Sequence, residues 1–345
     1  MNTKRDLRQD LTNRILAYLE SGTIPWRKAW SSASSRPINA KTQKPYAGVN
    51  SLILGMAMYE NVQFASDHRF ITEIQANDLG LKIQAGQQPA AHIIRMVEVD
   101  RRKAEKDSTG EVVAEENGKY LIMRTYAVFH ASQLDSELPP LTKPTVDIAP
   151  VAAVGAIVNA MKGTGLKIAE GPFEPVFMPK LDLIRMPPMA SFKGSDADDV
   201  AANFYGTLLH EMSHAVGAPK RLRRFGLSKL SLQEKAIEEM TAEWAAAMMC
   251  SGIKGIKLGE DHIQQHSAYL SSWMQALKED KGAIFRAAAA AQKTCDYFDK
   301  IVAPLIGPED HESVVKAATD PLAKMGDTAD PTVATRRAAR GVGPR

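Results

Sequence analysis

Residues 210 to 214 read His-Glu-Met-Ser-His, and few five-residue patterns restrict fold and chemistry together as tightly as this HExxH run. On an α-helix, positions i and i+4 stack on one face, so His210 and His214 can offer two imidazole nitrogens to one metal ion. Glu211 then points beside that ion, where a general base can take a proton from a metal-bound water whose pKa Zn²⁺ lowers to about 7. The surrounding pattern supplies the helix. From Asp198 to Val216, apolar residues recur at Val200, Phe204, Leu208, Met212 and Val216 with the histidines on a neighbouring face, and Gly217 and Pro219 end the run. The signature is that of a zinc-dependent peptidase.

The third ligand sets the subclass. A metzincin needs a histidine six residues after His214, but Lys220 stands there, and its cationic side chain cannot serve. A second helical run from Ser231 to Cys250 carries Glu238, Glu239 and Glu243 beside a stripe of Ala, Trp and Met. Carboxylates on so apolar a helix are costly unless paired or metal-bound. Glu239 and Glu243 are i and i+4 and share a face. Glu239 is assigned as the third ligand, with Glu238 as its alternative, and Glu243 as the acceptor that orients one of the histidines. Two His, one Glu and an open water position form a thermolysin-type, or gluzincin-like, site. Zn²⁺ is the expected ion, with Mn²⁺ and Co²⁺ as alternatives that affinity order alone does not separate.

At 345 residues the chain exceeds what one core ordinarily supports, so two domains of about 130 to 160 residues are expected. The two cysteines, Cys250 and Cys295, lie in apolar helical surroundings and indicate no disulfide framework. No apolar run is long enough to span a membrane, and MNTKRDLRQDLTNR lacks a hydrophobic signal core. A cytoplasmic protein without a membrane anchor is therefore expected.

The net charge is only +3, yet residues 1–50 hold nine Lys or Arg against three acids. A local surplus of this kind gives the phosphate-directed attraction of sequence-independent nucleic-acid binding. Arg27, Lys41 and Lys44 are interleaved there with Trp26, Trp30 and Tyr46. Aromatic faces can stack on the bases of a single strand while cations hold its backbone. Trp26 beside Pro25 at a helix end equally marks a core plug. Arg95, Arg101, Arg102 and Lys103 could extend the basic surface.

Along the chain, residues 4–21 pattern as an amphipathic helix with Leu7, Leu11, Ile15, Tyr18 and Leu19 inward, and Gly48–Asn61 as a buried one. Ala91–Val99 and Tyr120–Phe129 read as strands joined by a long solvated hairpin loop. Pro139, Pro140, Pro144 and Pro150 mark a connector. The expected fold class is α+β. A mixed helix and β-hairpin domain fills residues 1–137, a Pro-rich linker 138–150, a mainly helical metallopeptidase domain with a small sheet 151–303, and a flexible tail 304–345. Within the second domain, MPKLDLIRM (178–186) is expected as the edge strand that holds substrate backbone in extended form. Two long helices, Asp261–Leu277 and Gly282–Ile301, follow the ligand helices.

Several longer runs carry a resemblance. FEPVFMPKLDLIRMPPMASF, FYGTLLHEMSHAVGAPKRLRR, AIEEMTAEWAAAMM and HSAYLSSWMQALKED, with IPWRKAW, PINAKTQKPYAGVNSLIL and TYAVFHASQLD before them, resemble ArdC-like antirestriction proteins over about residues 5–300. The resemblance implies an N-terminal single-stranded DNA-binding domain and a C-terminal zinc-peptidase-like domain. Such proteins travel with conjugative plasmids or phages and protect incoming DNA from host restriction, and the same N-terminal module occurs in plasmid primases. Trp244, Met248 and Met249 depart from the smaller or aliphatic residues expected near the site. The HSAYLSSW run makes His266 the expected oxyanion donor, with Tyr269 second; His262 shares the helical face of His266. Two functions stay open: a peptidase acting on a restriction enzyme or DNA-bound host protein, or a non-catalytic coat for single-stranded DNA in which the metal is structural.

Overall fold

Leu11, Ile15, Leu16 and Leu19 are buried along one side of the first helix in the computed structural model, which describes residues 6–26, 36–64, 67–100, 111–116, 119–140, 150–252 and 267–303. That helix, α1 (Leu7–Glu20), starts at Asp6, whose carboxylate accepts from the backbone N–H of Gln9 at 3.0 Å. The elements that follow are β1 (Ile38–Asn39), α2 (Val49–Glu60), β2 (Arg69–Ile71), α3 (Glu73–Asp78), β3 (Ala91–Asp100), β4 (Glu111–Glu116) and β5 (Lys119–His130). After them come α4 (Pro150–Gly163), β6 (Lys167–Glu170), β7 (Val176–Met178), β8 (Leu183–Met186), α5 (Ala197–Gly217), α6 (Leu232–Gly252), α7 (Ser267–Glu279) and α8 (Ala283–Val302). The fold is α+β, and the chain groups into two compact units. One comprises Met1–Val146, Leu232–Met240 and His266–Gln292, and the other Asp147–Ser231, Thr241–Gln265 and Lys293–Arg345. The helices α6 and α8 each contribute to both.

The first unit is organised on β5. One side of β5 pairs with β3 from Ala91↔Val128 to Asp100↔Lys119, and the other with β4 and, at Phe129 and His130, with β2. The strand β4 lies where a solvated loop was expected: only residues 101–110 and 117–118 of that stretch lie outside the described residues. The sequence carries Asn117-Gly118 between Glu116 and Lys119, which pair across the hairpin. That dipeptide is a strong hairpin signal. The outer edge of β3 is clamped at Ile94, where the side-chain amide of Asn50, on α2, accepts from Ile94 N–H and donates to Ile94 C=O, each at 2.7 Å. The segment 141–149 and the tail beyond residue 303 lie outside the described residues.

In the second unit, the small sheet runs β6-β8-β7, with β8 parallel to β6 and antiparallel to β7. This corrects the expectation for MPKLDLIRM. Its Leu183–Met186 portion is the middle strand, with Leu183, Ile184 and Met186 buried, and Pro179 and the left-handed Asp182 (φ 48°) divide it from Met178. The edge beside α5 belongs to β7 instead. Asp182 in turn anchors the far end of α5: Arg221 grips its carboxylate with two nitrogens at 2.9 and 3.1 Å and also donates to Ala215 C=O at 3.0 Å and Thr164 Oγ1 at 3.1 Å.

The helix α5 opens at Asp196, which accepts from Asp199 N–H at 2.9 Å, and closes at Gly217. Gly217 is the last helical residue, where the sequence places the stop. Its missing side chain matters for packing, because a Cβ there would lie 2.6 Å from the Arg224 guanidinium and 2.7 Å from the Phe225 ring. Arg224 uses that space to donate to Ser213 C=O at 2.6 Å, one turn before the helix end. No helix among the described residues is long and apolar enough to cross a membrane.

Candidate metal centre

His210 and His214 sit one turn apart on α5, with His210 buried and His214 half-buried. Their Nε2 atoms face each other at 3.1 Å, and the rings meet edge to face, 4.7 Å between centroids and 83° between planes. Two nitrogens bound tetrahedrally at about 2.0–2.1 Å from a Zn²⁺ would lie about 3.3 Å apart, so this pair is nearly set for a shared ion. A carboxylate oxygen of Glu239, on α6, completes a group whose three ligand atoms all lie within 4.8 Å of one another. The donor set of two imidazoles and one carboxylate suits a borderline divalent ion. Glu238 is half-buried beside it on α6 but is not part of that group.

The surroundings bear on the first ligand. Glu243, one turn after Glu239 and almost fully buried, places Oε1 3.4 Å from Nδ1 of His210. A carboxylate near the far nitrogen of a metal-binding histidine is the arrangement that orients such rings toward an ion. Trp244 and Met248 are fully buried on the same helix.

Glu211 is also buried, and its Oε2 accepts from the backbone N–H of Phe177 at 2.6 Å. A charge-assisted bond of this length offsets much of the cost of placing a carboxylate away from water. It also ties the residue beside the ligand pair to the edge strand β7. Nothing in the sequence pattern pointed to Phe177, because the donor is a backbone group.

Of the expected oxyanion donors, His262 and His266 lie outside the described residues, and Tyr269 falls within α7. Of the expected DNA-binding residues, Arg27 and Trp30 also lie outside them. Trp26 requires a correction. It is fully buried, with its ring 5.5 Å from that of Trp273 at a 48° tilt, so it plugs the core of its unit and offers no face to a base. Trp273 is too distant in sequence for that pairing to be foreseen. Lys41 is exposed and paired with Asp78 at 2.6 Å, Lys44 is exposed, and Tyr46 is half-buried.

The chain is also similar to known proteins. Residues 5–129 match the N-terminal domain of anti-restriction factor ArdC, and residues 156–290 match a zincin-like metallopeptidase family. The crystal structure of the antirestriction ArdC protein from the R388 plasmid, in its Mn(II)-bound form, is 30% identical with a TM-score of 0.67, covering 88% of this chain and all of that one. The chain belongs to the ArdC antirestriction family. The metal-free R388 ArdC structure aligns with a TM-score of 0.66 at 30% identity, over 87% of this chain and 99% of that one. The uncharacterized protein y4eC of Sinorhizobium fredii is 30% identical over 86% of this chain and 92% of its own length. The DNA primase TraC of Escherichia coli is 32% identical over 85% of this chain, which spans only 27% of that primase.

Proposed function

We propose that this ArdC-family protein binds single-stranded DNA through its N-terminal part, residues 1–137. Its HExxH domain, residues 151–303, carries a zinc-dependent peptidase-type centre. Together they protect incoming plasmid or phage DNA from host restriction in the cytoplasm. The observation that carries the reading is the convergence of His210, His214 and Glu239 within 4.8 Å, with Glu211 next to His210 in the chain.

His210, His214 and Glu239 would hold the ion, with the Glu243 carboxylate 3.4 Å from Nδ1 of His210, near enough to orient that ring once a metal is bound. A bound divalent ion supplies Lewis acidity and a water of lowered pKa. Glu211 takes the proton from the attacking water and returns it to the leaving amine. Phe177 N–H keeps the Glu211 carboxylate in place through that exchange. His266, with Tyr269 as its alternative, stabilises the oxyanion. The protein substrate would be a restriction enzyme or another DNA-bound host protein.

The test is Glu211→Gln, assayed for metal content, proteolysis of DNA-bound proteins, and protection of incoming DNA in a cell with an active restriction system. Loss of cleavage and protection with metal retained supports the peptidase. Full protection by the variant would instead establish a strand-coating protein whose metal is structural.

A further inference from the structure

The displacement of Trp26 into the core leaves the DNA surface of the first unit to be found among other side chains. Arg95 projects from β3 and is exposed, and its guanidinium carbon lies 5.9 Å from the centre of the Tyr126 ring on β5. Arg124 is its direct cross-strand partner in the register. Tyr46 stands close enough for Arg95 to counter part of the rise in its pKa, whose main cause is burial. Tyr46 is held still. The Asn39 amide donates to its hydroxyl at 3.1 Å and to Gln75 Oε1 at 3.0 Å, while Asn39 Oδ1 accepts from Thr42 N–H. Lys44 lies two residues before Tyr46 and is exposed.

Four other cations of the first unit are held by carboxylates. Arg14 is paired with Glu60, Lys41 with Asp78, Arg69 with Asp67 and Lys119 with Glu98. Neither Arg95 nor Lys44 is ion-paired with a carboxylate among the described residues. A planar guanidinium with tyrosines beside it offers what an unpaired nucleotide needs: a cation for the phosphate and ring faces for the base.

We infer that Tyr46, Arg95 and Tyr126, with Lys44 at the rim, form the single-stranded DNA docking surface of the first unit, Arg95 meeting a phosphate and the tyrosines stacking on bases. This rests on the DNA-binding reading above and names the residues that carry it. The test is fluorescence anisotropy of labelled oligo(dT) with the full-length protein, comparing wild type, Arg95→Ala, Arg95→Lys, Tyr126→Leu and Lys119→Ala at several salt concentrations. Arg95→Ala should weaken binding at least about fivefold and lower the salt slope by about 1. Arg95→Lys should restore the slope but not the full affinity. Tyr126→Leu should weaken binding without changing the slope, and Lys119→Ala should match wild type. If wild type binds and both Arg95→Ala and Tyr126→Leu bind equally well, this surface is wrong while the DNA-binding reading stands. Equal affinity for duplex DNA overturns the stacking role, and no binding by wild type overturns both readings.

Discussion

The backbone N–H of Phe177, on the edge strand β7, donates to Oε2 of the buried Glu211 at 2.6 Å. A backbone donor cannot be removed by truncating a side chain, but proline removes it, and proline is tolerated at sheet edges. Phe177→Pro should therefore destabilise the protein by more than about 3–5 kcal/mol, because it empties a buried aromatic site and in addition leaves a buried acceptor short of its donor, at about 1–3 kcal/mol. The same substitution in a Glu211→Gln background should cost measurably less, because the charge it strands is gone. Thermal unfolding of the four proteins of this cycle measures the coupling, and simple additivity would show that the contact carries no energy.

Glu243 faces the non-ligating nitrogen of His210 at 3.4 Å. Removal of such a partner typically lowers metal affinity about 10–100-fold. Glu243→Ala should show this in a competition titration with a chelating dye while keeping one ion per chain at saturation. Unchanged affinity would mean that the His210 ring is oriented by packing alone.

Arg221 is buried and bidentate to Asp182, and it also holds the last turn of α5 through Ala215 C=O. Arg221→Met should cost about 3–5 kcal/mol, since it strands a buried carboxylate. Lys220, 3.2 Å from the same carboxylate, should recover a small part. Denaturant titration reads the loss. A cost below about 1 kcal/mol would show that Asp182 finds other partners.

His130 is buried in the first unit, stacked on Phe64 at 4.4 Å, with its ring nitrogens on Asp67 C=O and Ser132 Oγ. Burial pushes its pKa below the ordinary 6.5, against the nearby Asp67 and alongside Arg69 and His68, and burial also lowers His68. The unfolded chain then binds protons at a higher pH than the folded one does. The stabilisation is fully present above about pH 6.5 and is lost as pH falls from there toward the folded-state values. Stability measured from pH 7.5 to 5 should decline, and His130→Gln should flatten part of that decline. An unaltered slope in the variant would assign the effect elsewhere.

The ligand helix was legible because two histidines, an apolar repeat and a stop signal all required the same helix between Asp198 and Gly217. Glu239 was legible because acids on an alanine-rich helix need a reason to be there. Other features depended on partners that no local pattern reveals. Trp26 has the same neighbours in sequence whether it meets a base or Trp273. The strand β4 (EVVAEE) is too acidic to announce itself, although Asn117-Gly118 could have disclosed the hairpin. MPKLDLIRM reads as one strand until Asp182 turns the chain and places Leu183–Met186 between two neighbours. Gly217 suited a helix stop by composition, while its place follows from the approach of Arg224.

The proposed function requires His210, His214 and Glu239 to act together on one divalent ion. Isothermal titration of the metal-stripped protein with Zn²⁺, on wild type and on Glu239→Ala, tests this most directly. One ion per chain in wild type, bound at least about 10-fold more weakly in the variant, is the predicted result. Identical binding by the two proteins, or none by wild type, would contradict it.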